Sequence, residues 1–170
     1  MDAVAIKQQL LRFRGARGTL LLVVVFTTVN LFLAAFGTDF YMLFSATVPQ
    51  VILGLGLGLA DELQSNVFLI AGATAAFAGV FLYLLCWSLT NRYRIFILVA
   101  LVLFSIDTLV CATFVFVGGF DLWYLVDVAF HGWILFGLVN GVRAWAKLRD
   151  VNPDDLSAVM KEMANKPRGV

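Results

Sequence analysis

Long apolar runs alternate with short charged segments along this chain, and the runs set its architecture. Four of them, Thr19 to Phe36, Val67 to Leu89, Ile95 to Val117 and Leu122 to Val142, meet the ~20 residues that a helix needs to cross ~30 Å of hydrocarbon. A fifth run, Phe40 to Ala60, is as long but contains Pro49 and Gln50, followed by Gly54, Gly56 and Gly58. The expected fold is all-α: an integral membrane bundle of four transmembrane helices, with 40–60 as an extracytoplasmic re-entrant or interfacial segment. Irregular backbone at such a depth is tolerated only where protein or water covers it, and Pro49 with the nearby glycines suits that place.

The charges between the runs argue for the same count. Lys7, Arg12, Arg14 and Arg17 precede the first span, Arg92 and Arg94 separate the second from the third, and Arg143, Lys147 and Arg149 follow the last. The segments carrying Asp39, Asp61, Glu62 and Asp121 hold no Lys or Arg. If the basic clusters are cytoplasmic, as the positive-inside rule requires, the number of crossings is even and both termini lie inside. The alternative is five spans with opposed termini. Residues 1–18 form a basic amphipathic lead into a first span that carries no cleavage pattern and is expected to be retained. Residues 150–170 are expected to form a short cytoplasmic helix and tail. There Asn152 suits an N-cap, Pro153 the first helical position and Asp154 with Asp155 the first turn.

Composition sharpens the membrane reading. Of 170 residues, 62% are hydrophobic and 14% charged, against about 25% charged residues in ordinary soluble domains. No single water-facing core buries that much apolar surface, so the lipid bilayer is the expected first partner. The net charge of +1 is spread over ends and loops, and no nucleic-acid partner is expected. Small residues at four-residue spacing, Ala71/Ala75/Gly79 and Gly137/Gly141, allow close helix approach, either within one chain or in a homo-oligomer.

The informative residues are those that lipid disfavours. Asp107 lies within FSIDTLVCATF, Asp127 and His131 within VDVAFHGW, and Asn30 within FTTVNLF. A rise of ~1.5 Å per residue places all four at roughly 18–24 Å from the basic ends of their spans, in one layer. Asp127 and His131, four apart, share a helix face. Ionisable groups at this depth are costly and turn towards the bundle interior. Two carboxylates and an imidazole can hold a proton or bind a cation, and they can equally fix helix packing. The 40–60 segment, through Ser45, Pro49 and Gln50, is expected to lid a pocket above them.

Other chemistry is poorly represented. Asp107, Asp127 and His131 offer one imidazole and no thiolate, a weak set for zinc, so neither a metal nor a cofactor is expected. Cys86 and Cys111 fall roughly 20 Å apart along the membrane normal by helical rise, too far for a disulfide, and read as buried thiols. No H-E-x-x-H, G-x-S-x-G or P-loop occurs.

Two stretches, TTVNLFLAAFGTDFYMLFSATVP and DVAFHGWILFGLVNGVRAWAKL, resemble a poorly characterised family of small four-span membrane proteins of Gram-positive bacteria. The residues carrying the resemblance are Asn30, then Leu43, Phe44, Ser45 and Ala46, then Asp127, Phe130, His131 and Trp133. It covers the first and last thirds, leaves Val67 to Phe116 uncovered, and implies no activity. It does imply a bacterial cytoplasmic membrane.

Three function classes follow. A membrane-embedded binding module or accessory subunit, within a homo-oligomer or larger membrane complex, would use Asp107, Asp127, His131 and Asn30 for a small polar or cationic ligand. A proton- or ion-coupled carrier would titrate them, and four spans without repeats would have to do so as an oligomer. An intramembrane enzyme lacks a nucleophile or metal constellation.

Overall fold

The apolar runs become helices wherever nothing interrupts the backbone ladder, and two interruptions shape everything else. The computed structural model describes residues 1–38, 42–117 and 122–165. The expected start of the fifth run at Phe40, the acids Asp39 and Asp121, and the last five residues lie outside these. Six helices, and no strand among the described residues, follow in order: α1 (Ala3–Ala35), α2 (Thr47–Glu62), α3 (Asn66–Leu89), α4 (Phe96–Val117), α5 (Leu122–Arg149) and α6 (Pro153–Asn165). Four of them, α1, α3, α4 and α5, are long and apolar enough to cross a membrane.

The first helix extends well below the expected span. Asp2 caps it by accepting the Ala5 amide at 2.7 Å, and no proline stops it for 33 residues. Its basic lead is therefore continuous with its apolar part. Ile6 and Leu10 of this lead pack with Leu148 of α5 and Val159 of α6 in a separate small core. That contact places α6 across the ends of α1 and α5. The α6 start has the expected chemistry: Asn152 Oδ1 accepts the Asp154 amide at 3.0 Å, with Pro153 first and two acids in the first turn.

All three basic clusters meet at this end of the bundle. Arg17 lies over the Trp87 ring and Arg94 over Phe13. Arg92, Arg94 and Arg149 line one surface hollow with Trp145 and Pro153. The start of α1, the α3–α4 turn, the end of α5 and α6 therefore share one end of the bundle.

Between α1 and α3 the chain does something else. α1 ends at Ala35, and two residues on Gly37, at a positive φ of 67°, allows the turn that a side chain would resist. By residue 42 the chain has returned alongside α1: the Met42 amide donates to Asn30 Oδ1 at 2.8 Å and the Ala46 amide to Thr27 Oγ1 at 2.7 Å. The reversal falls at Phe44, a non-glycine residue at φ 67°, where an L side chain is strained. Its ring is wedged against Phe26 of α1 and against Phe130 and Trp133 of α5, the Phe130 centroid only 4.1 Å away. Aromatic packing of this kind offsets about 1 kcal/mol per pair, comparable with the strain.

From this point α2 runs back for 16 residues, about 24 Å, as half of a hairpin with α3. Pro49 does not break it. It occupies the third helical position, where an amide would lack an intrahelical acceptor anyway, and its ring packs on Gly79 of α3. Further along the hairpin, Gly56 and Gly72 bring the two backbones together so closely that a Cβ on Gly56 would stand 2.9 Å from the Gly72 Cα. Gly54 and Gly58 meet nothing within 4 Å, so only the middle glycine of that ladder is required by contact.

The small-residue stripes divide similarly. Gly141 fits against Ala16, and Gly137 against Thr19, so the α5 pair serves α1–α5 packing inside the chain. On α3 the inward face is Gly72, Ala76 and Gly79, while Ala71 and Ala75 are exposed. Of the expected Ala71/Ala75/Gly79 stripe only Gly79 is kept, while Gly72 and Ala76 replace the two alanines, because the contacts of α3 with α2 run through Gly72 on Gly56 and Gly79 on Pro49.

Candidate functional site

Two antiparallel helices whose polar residues recur every four positions meet as rungs of a ladder. On α4 these are Asp107 and Cys111; on α5, His131 and Asp127. His131 Nε2 stands 3.1 Å from Asp107 Oδ2, and one turn further on Cys111 Sγ stands 3.5 Å from Asp127 Oδ2. The ring of Phe104, one turn before, stacks on His131 at 5.1 Å and 15°. Asp107 and His131 have side-chain exposures of 1% and 0%, and Asp127 of 13%.

The third contributor is the start of α2. The Thr47 amide donates to Asp107 Oδ2 at 2.9 Å and the Val48 amide to Oδ1 at 2.8 Å. A carboxylate from α4 thus caps α2, whose preceding residue, Ala46, has no side chain able to do so. The first amides of a helix lack internal acceptors, and their aligned dipoles amount to about half a positive charge. Asp107 supplies both the acceptors and the opposite charge, which fixes the depth at which α2 begins.

His131 is held from both nitrogens. Nδ1 lies 2.9 Å from the Asp127 carbonyl oxygen, which can only accept, so Nδ1 carries a hydrogen. It also lies 3.6 Å from Asp127 Oδ1. Nε2 faces both Asp107 and the Thr47 hydroxyl, the latter at 3.2 Å. Two hydrogen placements satisfy it: an imidazolium donating to Asp107, or a neutral ring accepting from Thr47. The heavy-atom arrangement accommodates either.

Asn30 is at the same end of the layer but in a different cluster. Its Nδ2 donates to the Met42 carbonyl at 2.7 Å and to Ser45 Oγ at 2.9 Å, and Gln50 Nε2 donates to the same Ser45 oxygen at 2.7 Å. The residues expected to lid a pocket thus sit within the layer. Ser45 is fully buried between Asn30 and Gln50, and Pro49 is turned towards α3. What joins this cluster to the ladder is the chain itself, from Ser45 through Thr47.

Asp107, Asp127 and His131 therefore converge, Asn30 braces the fold-back beside them, and two participants escaped sequence reasoning. Thr47 was hidden because nothing marks it as a helix start whose cap comes from residue 107. Cys111 was readable as a thiol one turn from Asp107 on α4. If Asp107 faces His131 across antiparallel helices, Cys111 must face Asp127, and that step needs only the four-residue period. Cys86 and Cys111 are both buried and free. With Asp127 and His131, Cys111 forms a group whose candidate ligand atoms all lie within 4.8 Å of one another. The chain matches no family model, no curated protein and no solved structure.

Proposed function

We propose that this protein is a membrane-embedded binding module or accessory subunit that recognises a small polar or cationic group at the Asp127 side of the polar layer. In this reading the four apolar helices cross the membrane with the basic end and both termini in the cytoplasm. Residues 42–62 enter from the outer face and leave by it. One observation carries the proposal: the acids of the layer are unequally committed. Asp107 spends both oxygens on the α2 amides and its remaining face on His131. Asp127 keeps 13% of its side chain exposed, one turn nearer the outer end, with His131 and Cys111 beside it. Asp107 is then the positioning residue and Asp127 the contact.

A second reading, a proton- or ion-coupled carrier working as an oligomer, draws on the two hydrogen placements open to His131. It differs in requiring turnover across the membrane.

Melting of the purified protein against sodium, magnesium, methylammonium, guanidinium and the divalent transition metals tests binding directly. At a concentration 100-fold above Kd, a ligand of the folded state stabilises it by about 2.7 kcal/mol. At least one such cation should raise the wild-type melting temperature, and Asp127→Asn should abolish that rise while leaving the ligand-free value nearly unchanged. A rise that survives Asp127→Asn, or a wild-type protein that no cation shifts, would refute the proposal.

A further inference from the structure

We infer that the cation is a divalent transition metal ion of the zinc class, held by Cys111 Sγ, the Asp127 carboxylate and His131 Nδ1. This rests on the binding reading above and narrows its ligand. The ligand atoms of a tetrahedral zinc centre lie about 3.3–3.8 Å apart, given bonds of about 2.0–2.3 Å. Here Asp127 Oδ2 lies 3.5 Å from Cys111 Sγ and its other oxygen, Oδ1, 3.6 Å from His131 Nδ1, while one ligand atom from each of the three residues fits within 4.8 Å. Less than 1.5 Å of closure therefore brings the three atoms to coordinating distance.

The chemistry behind the ring points the same way. A metal-bound histidine ordinarily donates its other N–H to a carboxylate, which fixes the ring and raises its basicity. Asp107 stands in that position, 3.1 Å from Nε2, and is itself anchored by the two α2 amides. One thiolate, one carboxylate and one imidazole suit zinc, cobalt or nickel. Magnesium and calcium prefer oxygen alone.

Charge balances as well. From the imidazolium placement, binding M²⁺ displaces the Cys111 thiol proton and the Nδ1 proton now given to the Asp127 carbonyl, and Nε2 keeps its hydrogen towards Asp107; from the neutral placement the ring hydrogen moves from Nδ1 to Nε2 and only the thiol proton leaves. A dication with thiolate and carboxylate is neutral, and the remaining charge of Asp107 faces the positive end of α2. Since protons leave, affinity should rise with pH. Three protein ligands leave the fourth position of a tetrahedral ion open.

Cobalt titration of the purified full chain tests this, because thiolate ligation gives a near-ultraviolet charge-transfer band that oxygen and nitrogen ligands do not. One equivalent of Co²⁺ should produce the band in wild type and Cys86→Ser, zinc should bleach it, and Cys111→Ser should lack it. If Cys111→Ser does not fold, maleimide labelling of Cys111 in Cys86→Ser, measured in detergent, replaces it: one equivalent of Co²⁺ should block the reaction. A band retained by Cys111→Ser, no band in wild type, or labelling indifferent to cobalt overturns the metal site. Stabilisation by another cation that needs Asp127, without a cobalt–thiolate band, would sink the metal and leave the binding reading standing. Absence of both would sink both.

Discussion

Asp107→Asn is expected to be the most destabilising near-isosteric change in the chain, at about 3 kcal/mol or more, because it removes the charged acceptor shared by two buried α2 amides and His131. The size follows from the contacts. A carboxylate presents two acceptors to two amides, Thr47 and Val48, and an asparagine presents one. Its amide group would point N–H at N–H on one side, or at His131 Nε2 on the other. A buried amide left without an acceptor costs about 1–3 kcal/mol by itself. An ordinary interhelical hydrogen bond between membrane helices contributes only ~0.6–2 kcal/mol. Denaturation of the purified protein, followed by helical signal, measures this. His131→Asn should destabilise less, since α2 keeps its cap. Because the two side chains touch, the double variant should fall short of the sum by about 1–3 kcal/mol. Strict additivity would mean that Asp107 and His131 do not act together.

Gly56→Val and Gly72→Val are expected to disrupt the α2–α3 hairpin with a comparable effect. A Cβ at Gly56 would meet the Gly72 Cα and the Phe68 carbonyl oxygen, each at 2.9 Å, and one at Gly72 would meet the Gly56 Cα at 2.8 Å. All of these are backbone atoms, so no rotamer change relieves the overlap and the helices must separate. Overpacking a well-packed contact costs about 1–3 kcal/mol, and here it also withdraws Pro49 from Gly79. The neighbours provide the opposite sign. Gly54→Ala and Gly58→Ala meet nothing within 4 Å and should stabilise the helix by about 0.5–1 kcal/mol. Equal losses at 54, 56 and 58 would show that flexibility, not close approach, is what those glycines supply.

These effects also mark what was legible in the chain. Helix identity came from run length, so α3 and α4 begin and end within one residue of expectation. Helix ends that project beyond the apolar runs were not visible: α1 starts at Ala3 and α5 continues to Arg149, since hydropathy marks lipid depth while the backbone continues until something stops it. Pro49 marked the irregular segment, but its role is local. It opens α2 instead of interrupting it, and only the position of Asp107, sixty residues away from Thr47, decides that. Depth by helical rise placed Asp107, Asp127 and His131 at one level, which antiparallel α4 and α5 then required to meet. Asn30 shares the level but turns towards Met42 and Ser45, because depth says nothing about azimuth. The helical distance between Cys111 and Cys86 excludes a disulfide but carries no sign of the Asp127 carboxylate that faces Cys111 from α5.

The binding reading sets the partly exposed Asp127 towards the outward-facing end of the bundle, so sidedness is its central claim. The most direct measurement uses single cysteines, Glu62→Cys and Arg92→Cys, each in a Cys86→Ser/Cys111→Ser background, with a membrane-impermeant maleimide added to intact cells. Position 62 is the last residue of α2 and position 92 lies in the basic turn between α3 and α4. With that end of the bundle outside, Glu62→Cys is labelled in intact cells and Arg92→Cys only after permeabilisation. Labelling of Arg92→Cys in intact cells, with Glu62→Cys protected until they are opened, would contradict it.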